Sequence, residues 1–142
     1  MKHPFTDAEL DLLVKAIQTA EQKSTGEIRV HIDSHIGQNN AQRAFETFCI
    51  LCKDQTKEKN AVLFHLNFEE NYLTIIGDEG IHRSVKQEFW DSLHDEITHA
   101  FSQKNYLEGL QSAILKTGEK LKKHFPITTQ NLNELPDEIS FS

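Results

Sequence analysis

Between residues 25 and 66 the sequence changes period twice, and that change restricts the fold more than any other feature. Glu27-Ile28-Arg29-Val30-His31-Ile32 alternates strictly, with Ile28, Val30 and Ile32 on one face and Glu27, Arg29 and His31 on the other. This is the pattern of a strand with one greasier face. After a turn-rich stretch, Ala41, Ala44, Phe45, Phe48, Cys49 and Cys52 fall at helical spacing, which predicts an amphipathic helix over 40–52. A charged loop at 53–60 leads into Ala61-Val62-Leu63-Phe64-His65-Leu66, a nearly continuous apolar run of the kind found in interior strands covered on both faces. Strand, helix and strand in this order form a right-handed crossover, so the two strands are parallel.

The flanking segments complete the set. Thr6 with Glu9 is a capping box, and Phe5 is placed to staple onto Leu10. Leu10, Leu13, Val14 and Ile17 then form one stripe until Lys23-Ser24-Thr25-Gly26 stops a helix spanning about residues 7 to 22. Asn67 to Asn71 reads as a hairpin connection into Tyr72-Leu73-Thr74-Ile75-Ile76, a third strand antiparallel to the second, which Gly77-Asp78-Glu79-Gly80 breaks. Val85, Phe89, Leu93, Ile97 and Phe101 step by four, and Asn105 with Glu108 opens a last helix through Leu110, Ile114 and Leu121. The expected fold is α/β, a three-layer helix-sheet-helix sandwich around a small mixed sheet of three to four strands, in the order α-β-α-β-β-α-α. Residues 1–126 make a single domain, and 127–142 an irregular tail packed on it, with Ile139 and Phe141 as anchors.

Composition removes several classes of function. With 142 residues the chain has room for one core. Its 15 Lys+Arg against 22 Asp+Glu give a net charge of -7, a field that repels polyphosphate backbones and anionic membranes. Nucleic acid is therefore not an expected partner. No apolar run approaches the ~20 residues of a spanning helix, and Met1-Lys2-His3-Pro4-Phe5-Thr6-Asp7 has no signal-peptide segment, so membrane insertion is not expected and the cytoplasm is. The two cysteines, Cys49 and Cys52, lie at the far end of a helix on its apolar stripe, where core packing is the expected role rather than thiol chemistry.

Strand polarity determines which loops meet. An antiparallel third strand ends near the start of the second, and the start of the first comes to the same rim. That rim gathers Glu27, Thr56, Glu58, Asn60, Asp78 and Glu79 beside Gly77, with Arg29 one pleat inward. The opposite rim holds Asp33, Ser34, His35 and Asn67. Ligands of parallel sheets favour the carboxyl ends of strands, which points to the second rim. The concentration of carboxylates, an amide and a hydroxyl next to glycines favours the first, and the first is preferred.

Thr25-Gly26-Glu27-Ile28, Asn60-Ala61-Val62-Leu63 after Thr56, Gly77-Asp78-Glu79-Gly80-Ile81, Tyr106 to Leu110, and the closing Asn-Glu-Leu-Pro-Asp-Glu-Ile together resemble the TPM-domain family, especially its short bacterial members. The resemblance spans essentially the whole chain. It implies a helix-sheet-helix sandwich, a link to divalent cations such as calcium, and, from members in photosynthetic organisms, photosystem repair and acid-phosphatase-like activity. Carried over by position, the polar rim is Glu27, Asn60 and Asp78 with Thr56 beside them. Many relatives have an export signal and membrane anchor that have no counterpart here, and Ala61 stands where the family usually has glycine.

The resulting expectation is a soluble accessory or binding module, open to a protein partner, with a weak calcium or magnesium site at Glu27, Asn60, Asp78 and Glu79 and with Arg29, Thr56 and Gly77 contacting ligand. The alternative is a metal-assisted phosphoesterase on the same rim, with Arg29, Lys57 and Lys59 supplying charge and Asp78 a base. The plain reading of Asp78 and Glu79 is as turn residues, and of Glu27 as a solvated strand face. His31-x-Asp33-x-His35 is read as a solvated strand edge rather than a zinc site.

Overall fold

Helix α1 (Asp7–Glu21) begins where its capping box places it, with the Thr6 hydroxyl accepting from the Glu9 N–H and the Glu9 carboxylate accepting from the Thr6 N–H. The structure, a computed structural model, describes residues 3–127 and 134–142. Met1 and Lys2 at the start and Asn133 of the closing motif lie outside the described residues.

Strand β1 (Glu27–Ile32), helix α2 (Asn40–Leu51) and strand β2 (Ala61–Asn67) form the crossover, and β1 pairs parallel with β2 from Glu27↔Ala61 to Ile32↔Leu66. Strand β3 (Tyr72–Gly77) returns antiparallel, with Val62↔Gly77 and Asn67↔Tyr72 at the ends of the ladder. A left-handed Asn71 (φ 51°) turns the hairpin, a conformation asparagine tolerates better than most residues. The fourth strand, β4 (Ser140–Phe141), pairs parallel with β1 and completes the order β3-β2-β1-β4. A segment without sequence period thus enters the sheet, its backbone bonds with Ile32 and Ser34 supplying what its side chains do not announce.

Gly77-Asp78-Glu79-Gly80 does more than end β3. Asp78 is the N-cap of a short helix, α3 (Glu79–Ser84), too brief for its periodicity to be read. Helices α4 (Gln87–Ser102) and α5 (Tyr106–His124) follow. Asn105 opens α5 without a side-chain cap bond, its own backbone lying outside the extended region a capping side chain prefers.

One face of the sheet buries Ile28, Val30, Ile32, Val62, Phe64 and Leu66 against α1, α4 and α5. The other carries a smaller core in which Phe48 of α2 and Cys52, its C-cap, meet Ala61, Leu63 and Leu135 of the tail. The α2 stripe is narrower than its spacing suggests: Ala44, Phe48 and Cys52 are buried at i, i+4, i+8, whereas Phe45 is 54% exposed. In the tail, Ile139 packs on the larger core and Phe141 stays half exposed, its ring 5.4 Å from that of His3.

Candidate functional site

The topology brings the starts of β1 and β2 together with the end of β3, and most of the polar residues expected there are buried. Glu27, the first residue of β1, is 1% exposed, and its Oε1 accepts the Leu135 N–H at 2.7 Å. Asn60, one residue before the partner of Glu27, is fully buried. Its N–H donates to Thr56 Oγ1 at 3.0 Å and its Nδ2 to Thr25 Oγ1 at 3.1 Å, while Thr25 donates to Glu58. Its carbonyl oxygen Oδ1 has no hydrogen-bond partner among the described residues.

Gly77 ends β3 opposite Val62, and the Asp78 N–H donates to the Ala61 carbonyl at 2.9 Å, so this strand end does reach the Asn60 loop. The Asp78 carboxylate, however, is engaged with backbone: Oδ1 accepts from Glu79 N–H at 2.8 Å and Oδ2 from Asp54 N–H at 3.0 Å. It fastens the 53–60 loop onto α3. Glu79 points outward, its side chain 66% exposed and 3.9 Å from Lys59 Nζ. Arg29 lies buried one pleat inward, makes no ion pair within 4.0 Å among the described residues, and leaves Nε without a partner.

Glu27 is no solvated strand face. Burial pushes its carboxyl up to about 7 against the restraining Leu135 N–H, and Asp137 and Glu134 add repulsion. Glu21, at the end of α1, is raised further, to about 10, first by burial, then by a hydrogen bond with Asp137 and by the charge of Glu27, against an Ile28 N–H bond of 2.7 Å. Four acids from α1, β1 and the tail therefore interact at this rim. Among the described residues, no group of three His, Cys, Asp or Glu side chains is arranged to hold a metal ion. The observation that fits a cation is the unpartnered Asn60 Oδ1 one register step from Glu27: a hard cation takes amide and carboxylate oxygens together.

The opposite rim is also organised. Asp33, just past β1 and fully buried, accepts from Arg43 Nε and, at 3.1 Å, Nη2, from the His35 N–H at 3.1 Å and from the Ser142 hydroxyl at 3.1 Å. Burial alone would raise its carboxyl, but the Arg43 and His35 bonds hold it well below the usual range. His31 lies with Nδ1 2.7 Å from Ser140 Oγ and Nε2 2.7 Å from Ser142 Oγ. Because the Ser142 hydroxyl gives its proton to Asp33, its oxygen must accept from His31 Nε2–H, which leaves Nδ1 to accept from Ser140. Burial pushes His31 down to about 4, in keeping with this neutral ring. The order differs from a nucleophilic triad: the imidazole donates to the serine instead of drawing its proton away. His65 stacks on His31 at 5.5 Å and is fully buried, with no hydrogen bond to either ring nitrogen among the described residues and Nε2 3.6 Å from Asp33 Oδ2, and burial lowers its pKa.

His31 and Asp33 are thus buried in an interior strand, not at a solvated edge. Sequence reasoning missed this network because the partners of β1 on that side are Ser140 and Ser142. The usable signal was the carboxyl-end rule for parallel strands. Cys52 sits in the smaller core, where burial pushes its thiol up to about 12 despite Arg29 nearby, which disfavours the thiolate there.

The family model for the TPM domain matches residues 2–120. Among solved structures, the BA42 protein from the psychrophilic bacterium Bizionia argentinensis is 34% identical, with a TM-score of 0.89 over 100% of this chain and 98% of that one. The N-terminal domain of a protein from P. gingivalis is 17% identical, with a TM-score of 0.68 over 88% and 83%. That of the cg2496 protein from Corynebacterium glutamicum is 14% identical, with a TM-score of 0.65 over 90% and 80%. These last two likenesses speak to the fold. A search of curated proteins finds no match.

Proposed function

Since the chain belongs to the TPM-domain family, we propose that it acts as a binding module that takes a divalent cation, calcium or magnesium, loosely at the Glu27 end of β1. One observation carries this reading. A buried carboxylate, crowded by the charges of Glu134 and Asp137, stands one register step from a buried amide oxygen with no hydrogen-bond partner among the described residues. A cation at this strand end would relieve the repulsion at Glu27, with Asn60 Oδ1 as an amide oxygen offered from the start of the neighbouring strand. Glu27 and Asn60 are the ligands, with Glu134 and Asp137 as neighbouring charge. Asp78 and Glu79 fall outside the set, the first because backbone N–H groups occupy both its oxygens and the second because it faces solvent. Few protein oxygens and several waters make for weak binding.

The test is a calcium and magnesium titration followed by backbone amide shifts. Saturable shifts at Glu27, Asn60 and Leu135 at millimolar ion, lost in Glu27→Gln, are expected. Shifts that do not localise there remove the reading.

The phosphoesterase alternative draws on Arg29, whose buried guanidinium has no counter-ion within 4.0 Å among the described residues. Its proposed base, Asp78, is held as a helix cap. Turnover of an aryl phosphate that disappears in Asp78→Ala would favour it, and equal turnover in both proteins would remove it. No helix among the described residues is long and apolar enough to cross a membrane.

A further inference from the structure

We propose that a second site, separate from the Glu27 rim, lies at the carboxyl end of β2 and binds an uncharged, aromatic small molecule that brings a hydrogen-bond donor. A cavity of about 610 Å³ opens there between the β2–β3 hairpin and the corner joining α4 to α5, within the ~300–1,000 Å³ range of small-molecule pockets. Its position follows the tendency of ligands to sit beyond the carboxyl ends of parallel strands.

The wall is already assembled. The Phe68 ring lies 5.5 Å from that of Phe101 and 5.6 Å from that of Tyr106, and the latter two are 5.3 Å apart. Such a cluster offers both faces and edges to an aromatic guest. Among the described residues no Lys, Arg, Asp or Glu lines the cavity, in a chain of which 26% is charged. A charged guest would lose its hydration without gaining a counter-ion.

The polar groups decide the rest. His94, Thr98 and Ser102 stand four residues apart on α4 and all line the cavity. His94 Nε2 is 3.0 Å from the Leu73 carbonyl, which can only accept, so Nε2 carries the proton and Nδ1 of the neutral ring is an acceptor. The Ser102 hydroxyl donates to the His99 carbonyl at 2.6 Å and its oxygen accepts from Gln103 Nε2 at 3.4 Å, which leaves it one further lone pair as an acceptor. His94 Nδ1 therefore has no proton to offer and takes one from the guest, as from a phenol or an indole, while the Thr98, Tyr72 and Tyr106 hydroxyls also line the cavity.

The experiment uses the full chain labelled with nitrogen-15 and four probes: p-cresol, indole, benzoate and benzylamine. Saturable amide shifts centred on Leu73, His94, Thr98 and Tyr106 are expected with the first two, and binding at least about tenfold weaker with the charged pair. Thr98→Trp, or Ser102→Phe should the first variant fail to fold, fills the cavity and abolishes the p-cresol shifts while the spectrum stays dispersed. Shifts that do not saturate, shifts centred elsewhere, equal binding of benzoate, or unchanged p-cresol binding in a folded cavity-filling variant would each overturn the proposal.

Discussion

Replacing Glu27 by Gln in the ion-free protein should stabilise it at pH 8 and change little at pH 4. The ordinary carboxyl value of 4.5 and the value of about 7 that burial imposes define the window. As pH rises through 4.5 the unfolded chain releases this proton while the folded chain keeps it, so stability falls until about pH 7 and then levels off. The separation between 4.5 and about 7 corresponds to about 3 kcal/mol. Gln keeps an oxygen for the Leu135 N–H and carries no charge against Asp137 and Glu134, so a net gain of about 1–3 kcal/mol at pH 8 is expected once imperfect pairing of the new amide is allowed for. Urea unfolding in the presence of a chelator, at pH 4 and pH 8, reads this directly as a shift in midpoint at constant slope. A variant less stable than wild type at pH 8, or a gain of equal size at pH 4, would refute the reasoning.

On the opposite rim, Arg43→Met should cost about 2–4 kcal/mol in urea unfolding, because it strips the main cationic partner from fully buried Asp33. Adding Asp33→Asn should recover part of that loss. The histidine there gives a slope of opposite sign: His31 refuses a proton until about pH 4 while the unfolded chain accepts one near 6.5. Stability is then complete above 6.5 and falls by about 3 kcal/mol toward pH 4, a slope that His31→Gln should flatten in the same assay. Gly80→Ala should lower stability by about 1–3 kcal/mol or more, since a Cβ there would lie 2.2 Å from the Glu58 carbonyl oxygen and 2.6 Å from that of Lys59. A wild-type thermal midpoint in that variant would contradict the close approach of α3 to the loop.

Where a feature repeats along the chain, it is legible in the sequence. The alternation at 27–32 and the apolar run at 61–66 are properties of single segments, and the parallel and antiparallel pairings follow from connection rules. The placement of Gly77-Asp78 beside the Asn60 loop came from the same logic. What was not legible depends on partners distant in sequence. Nothing near Glu27 announces that Leu135 will cover it, and nothing near His31 announces Ser140 and Ser142, so the sequence alone shows neither as buried. Asp78 was legible as a turn residue, but the use of both its oxygens by Glu79 and Asp54 backbone required the loop to be in place.

The most direct test of a cation at the Glu27 end is paramagnetic broadening by trace manganese(II), which substitutes for both calcium and magnesium at oxygen sites. The account predicts that the amides of Glu27, Asn60 and Leu135 broaden first and that excess calcium restores them. Broadening centred on Asp33, His35 and Asn67, or spread evenly over the surface carboxylates, would contradict it.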